Sequence, residues 1–143
     1  MKKIVLILAV CALVFAIPLS ATAGNAPYNK VTGDIWFGGD RYFAFAGHDV
    51  GAPALDKGFA YYTDGTGGYW YGKATSVSVT NDDYADMTVV VTESTYTGIS
   101  VGTSFTYTFY DLGEPGVGLD YFTFFSAGHY TAEMGNIQVH YYG

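Results

Sequence analysis

The chain has 143 residues, with 13 acidic and 6 basic side chains and a formal net charge of −7. Lys2 and Lys3 stand near the start and every acidic residue lies after position 23, so residues 24–143 set 4 basic against 13 acidic groups, a formal −9. That balance argues against nucleic acid and anionic lipid as partners, since both demand a positive surface. Charged residues are only 13% of the chain while Phe, Tyr and Trp make up 18%, which favours strands over helices.

The first element is a targeting segment. Lys2 and Lys3 precede an apolar run, residues 4–17, that Pro18 breaks, and Ala21-Thr22-Ala23 has the A-x-A form of a cleavage site. The reading is a secretory signal peptide over residues 1–23. The rival is a retained membrane anchor, but the run is short of the roughly 20 residues a span needs. Cys11, the single cysteine, falls inside this segment, so a chain cleaved after Ala23 holds no disulfide and rests on its core alone. Residues 24–29 read as a flexible leader, and residues 30–143 as one domain.

Short β-type runs then alternate with Gly, Asp and Asn punctuation. The runs are KVTGDIWFG, RYFAFAGHDV, GFAYYT, YWYGKATSVSVT, MTVVVTEST, TSFTYTFYD, DYFTFFSAG and NIQVHYY. They predict an all-β antiparallel domain of about eight strands, a small barrel or a two-sheet sandwich. NDDYAD, residues 81–86, reads as an acidic loop between two of them. Phe105, Tyr107 and Phe109 alternate with Thr106 and Thr108, and Val77 and Val79 with Ser76 and Ser78, so one face packs and the other meets water. The runs YFAFA, FAYY and YFTFF carry large apolar groups on both faces, through coverage of both faces or an exposed aromatic surface.

Four segments in register carry a resemblance: KVTG at 30–33, GFAYYTD at 58–64, YDLGEPGVGLDYF at 110–122 and GNIQVH at 135–140. Together they resemble a family of small secreted bacterial and archaeal β-domains with no established activity. The resemblance implies export and an all-β fold, and supplies no catalytic residues. The chain departs from the family pattern at Asp34, Ile35 and Trp36, where further glycines are usual, at Leu112, where Asn is usual, and at Met134, where the family often has Gly.

Three sets of residues are candidates for chemistry. Asp111, Glu114 and Asp120 flank a Pro115-Gly116 turn and offer oxygen ligands to calcium, although the spacing is not that of an EF-hand loop and a plain hairpin turn accounts for them. Asn81, Asp82, Asp83 and Asp86 form a second acidic group, most simply a solvated turn. Tyr69, Trp70 and Tyr71 beside a glycine turn, with Tyr61, are candidates for an aromatic binding surface, against plain cross-strand packing. His48, His129 and His140 have no partner at metal-ligand spacing. No nucleophile elbow, HExxH or phosphate loop is present, so a non-catalytic domain is expected.

The functional expectation is an exported domain, secreted, extracellular or at the cell surface, with the periplasm as an alternative. It would bind an extracellular polymer, a partner protein or a second copy of itself. Two alternatives stay open: a small-ligand carrier with a cavity, and an eight-stranded outer-membrane barrel.

Overall fold

A computed structural model describes residues 28–51, 55–113, 120–124 and 128–143. The expected signal peptide lies outside the described residues, as does the Pro115-Gly116 turn. Nine strands and no helix are described: β1 (Asn29–Phe37), β2 (Arg41–Asp49), β3 (Lys57–Thr63), β4 (Tyr69–Asn81), β5 (Tyr84–Ser94), β6 (Ser104–Tyr110), β7 (Tyr121–Phe124), β8 (His129–Thr131) and β9 (Met134–His140). All pair antiparallel in one sheet of order β8-β7-β6-β5-β4-β3-β2-β1-β9. Of the two architectures expected, the chain adopts the curled one, a half-barrel made of a single sheet.

Two boundaries differ from the sequence reading. The acidic stretch at 81–86 is no loop: β4 ends at Asn81 and β5 starts at Tyr84, so two residues make the turn. Asn81 Oδ1 accepts the Asp83 N–H at 2.9 Å, which closes this turn locally. The short strand β8 is the extra element; three residues are too few to show a periodic pattern.

The alternation points apolar side chains inward. Val31, Ile35, Phe43, Phe45, Met87, Val89, Phe109, Ile137 and their neighbours form one core, while the outer positions carry Thr, Ser, Asp and Lys together with a set of aromatic side chains on β1 to β4. The curl is visible in ring contacts between strands four places apart in the sheet. Phe45 of β2 stacks on Phe109 of β6 at 4.1 Å, and Phe43 meets Tyr107 at 4.9 Å. Glycine makes room for these groups. At Gly33 a Cβ would lie 2.6 Å from the Phe45 ring.

The phase of β4 changes once. Trp70 and Ala74 face inward, as do Val77 and Val79, and an odd step separates the two sets. The register shifts between Ala74 and Ser76, so a bulge absorbs Thr75 and returns the valines to the core.

The sheet has two edges, β8 and β9, and the chain crosses from one to the other in two residues. Ala132 N–H donates to the Asp120 carbonyl at 2.9 Å and Glu133 N–H to the Trp36 carbonyl at 2.8 Å. Farther along, carboxylates take over. The outward N–H groups of β9 recur at every second residue, and Asp120 Oδ2 accepts that of Ile137, Asp111 Oδ2 that of Val139 and Asp82 Oδ1 that of Tyr141, at 2.9, 2.9 and 3.0 Å. Side chains thus cap the edge that would otherwise offer an unpaired ladder.

Candidate functional site

The strongest site is a cavity of about 250 Å3 at the end of the curled sheet that holds the β1–β2 and β3–β4 turns. The floor is made by Phe43, Tyr107 and Phe122, each 5% exposed or less. Phe43 and Phe122 lie 5.3 Å apart, and beneath them the Phe45–Phe109 stack fills the interior. The walls are Trp70, Phe105, Tyr62 and Tyr130, with Ile99 as the one aliphatic side chain. These residues meet there because inward positions of β1 to β8 near one end of the sheet are nearly all aromatic. Large flat rings in a curled sheet touch edge to face and offset, as Trp70 and Phe105 do at 5.4 Å and 51°, and leave a gap where aliphatic side chains would interlock.

Polar groups ring the mouth. Asp64 Oδ1 accepts the Thr66 N–H at 2.9 Å, the Thr66 hydroxyl at 2.8 Å and the Gly68 N–H at 3.2 Å, which ties the β3–β4 turn. Hydrogen bonds from Tyr96 and from Thr66 hold its carboxyl at about 2, below the usual carboxylate range. The Tyr96 hydroxyl also donates to the Gly68 carbonyl at 3.2 Å. Burial pushes the Tyr62, Tyr96 and Tyr107 phenols up, so all three stay protonated at neutral pH. On the other side Glu133 accepts the Gly38 and Gly39 N–H groups at 2.9 and 3.3 Å. Arg41 lines the mouth and makes no hydrogen bond or ion pair among the described residues.

The aromatic residues singled out from the sequence divide between two faces. Trp70 is 3% exposed and belongs to the cavity wall, which corrects its assignment to a surface. It alternates with Tyr69 and Tyr71, which point outward, and a period of two separates neighbours in a strand. On the outside Trp36, Tyr42, Tyr61 and Tyr69 form a ladder across β1 to β4, with centroid distances of 5.0, 6.5 and 6.1 Å. Tyr71 stacks on Phe59 at 6.1 Å, and the Tyr69 hydroxyl donates to Glu93.

Of the acidic residues proposed for calcium, Asp111 and Asp120 accept backbone N–H groups. Glu114 lies outside the described residues. Asp120 is 5% exposed and clamps Leu112 N–H and Ile137 N–H, one with each oxygen. Asp111 clamps Val139, and burial, with the Asp120 charge beside it, raises its pKa. Among the described residues no three His, Cys, Asp or Glu side chains come together in a group able to hold a metal. The second acidic set splits likewise: Asp82 caps Tyr141, and Asp86 accepts the Thr108 hydroxyl at 2.6 Å. The histidines stay on separate strands, β2, β8 and β9.

The cavity residues Arg41, Tyr62, Tyr96 and Ile99 carry no local pattern that singles them out in the sequence. The usable signal was the clustering of aromatics beside turns; which end of the sheet they share depends on the pairing register. Comparisons with protein-family models, with curated proteins and with solved structures gave no match to this chain.

Proposed function

We propose that this chain is a non-catalytic domain that binds a small apolar molecule in the aromatic cavity. The observation that carries this reading is the cavity itself: about 250 Å3, walled by aromatic rings, with a cation and phenol hydroxyls at its mouth. A small-ligand site is typically concave, mostly apolar and equipped with a few polar groups that fix orientation. The lower part of the sheet is packed solid, so the domain holds a cup at one end rather than a lumen. The Thr and Ser side chains on the outer positions of β4, β5 and β6 support an aqueous location over an outer-membrane barrel, whose outer face is apolar. The signal-peptide pattern supports export.

The test is a thermal-shift and calorimetric screen of uncharged two-ring aromatics against wild type and Ile99→Trp, which fills the cup. Saturating wild type at a hundredfold excess over Kd raises stability by about 2.7 kcal/mol, and Ile99→Trp abolishes the gain. No shift with any such compound in wild type contradicts the reading.

The outer ladder favours a second reading, in which the domain holds a polymer or a second copy on the face carrying Trp36, Tyr42, Tyr61 and Tyr69. The four rings cross three strand spacings, about 14 Å, which suits an extended chain. Affinity electrophoresis through polysaccharide gels compares wild type with Trp36→Ala; equal mobility of the two in every gel contradicts it.

A further inference from the structure

Among the described residues the cavity lining has one charged group, Arg41. Arg41 stands at the mouth with no hydrogen bond or ion pair among the described residues. The carboxylates of the two turns at this end of the sheet are committed to backbone groups. Asp64 has its carboxylate in the β3–β4 turn, on Thr66 and Gly68. Glu133 has both oxygens on the backbone of the β1–β2 turn, at Gly38 and Gly39. Basic residues are scarce in this chain: four stand against thirteen acidic ones after residue 23. One of the four, Arg41, lines the mouth of an aromatic cup, while Asp64 and Glu133 cap turns.

A guanidinium at the edge of a low-dielectric cup binds a carboxylate more strongly than the same group in open water does, and its fork matches the two oxygens of a carboxylate. The rings below accept flat apolar surface. Size follows from volume: a dry cavity of about 150 Å3 takes benzene, so about 250 Å3 takes a molecule of roughly two fused rings.

We infer that the cavity recognises a flat, two-ring apolar molecule bearing one carboxylate, with the rings between Trp70 and Phe122 and the carboxylate on Arg41. This inference rests on the cavity being a binding site and adds the ligand class and the residue that selects it. The Asp64 carboxylate, hydrogen-bonded to Thr66 and to Tyr96 of the cavity lining, disfavours a second anionic group there. A monoanion is therefore the matching charge.

The experiment titrates 2-naphthoate and its neutral counterpart 2-naphthalenemethanol into wild type, Arg41→Gln and Arg41→Lys by calorimetry. Wild type should bind the carboxylate at least about tenfold more tightly than the alcohol, the range of a charge-assisted hydrogen bond. Arg41→Gln should erase that preference while still binding the alcohol, and circular dichroism of the variant shows that it keeps its fold. Arg41→Lys should retain part of it, as a point charge without the fork. Equal binding of both compounds to wild type overturns the inference and leaves the cavity reading standing. So does a preference that survives Arg41→Gln. Failure of both compounds to bind overturns the cavity reading and this inference with it.

Discussion

At the scale of single residues, the carboxylates decide more than the aromatics do. Asp120 is the one buried charged or polar residue of the described set, and each of its oxygens accepts a backbone N–H. Removing it strands the Ile137 N–H in the core, and a buried donor left without a partner costs about 1–3 kcal/mol, more where the lost acceptor was charged. Asp120→Ala should therefore lower stability by about 3 kcal/mol in urea titration. Asp82→Ala, on an exposed strand end, should lower it by less than about 1 kcal/mol. Asp64 makes a separate claim about pH. Its folded pKa of about 2 lies below its ordinary 3.8, so the unfolded chain binds this proton first as the solution is acidified. The group contributes stability that is present above pH 4 and fades as pH falls from about 4 towards 2. Urea midpoints at pH 4.5 and 2.5 should differ less in Asp64→Asn than in wild type. Solvent screening at this exposed site keeps the effect small.

At the scale of elements, β4 shows what a sequence reveals and where it stops. Its two halves alternate cleanly, so both read as strand. The bulge at Thr75 joins them, and a bulge has no strong sequence signal when its residue is not glycine. Trp70, Tyr69 and Tyr71 sit side by side in the sequence and on opposite faces in the sheet, which gives a sharp contrast. Trp70→Ala should cost about 3–5 kcal/mol, as a buried aromatic truncation does, and Tyr69→Ala about 1 kcal/mol or less. Near-equal losses in chemical denaturation would contradict the facing. Gly135 in β9 is a stricter position: it has φ of +95°, and a Cβ there would lie 1.9 Å from the Asp34 carbonyl oxygen. Gly135→Ala should cost more than about 2 kcal/mol, combining backbone strain with a backbone clash. The all-β class and most strand positions were legible because period-two alternation is local. The ends of β5 and the existence of β8 were not, because a two-residue turn and a three-residue strand carry too little pattern. The site was the least legible part. Asp111 and Asp120 were singled out as possible ligands, and they accept N–H groups of β9, 28 and 17 residues along the chain. Nothing local in a sequence encodes such a pairing.

At the scale of the whole molecule, one curled sheet solves two problems with different chemistry at its two ends. At one end Asp82, Asp111 and Asp120 cap the free edge of β9, so the edge is covered without another strand. At the other end the chain crosses the seam in two residues, and the rings above Phe43 fail to fill the space between the walls. The central claim is that this unfilled space is a site. Three isoleucines follow residue 23: Ile35 and Ile137 are fully buried in the closed core, and Ile99 lines the cup. A methyl-labelled sample of residues 24–143 thus gives three isoleucine signals, one of which faces the cavity. Titration with 2-naphthoate should shift the Ile99 methyl strongly through ring currents while Ile35 and Ile137 stay in place. An unmoved Ile99 at saturating ligand, or three signals moving together, would contradict the account.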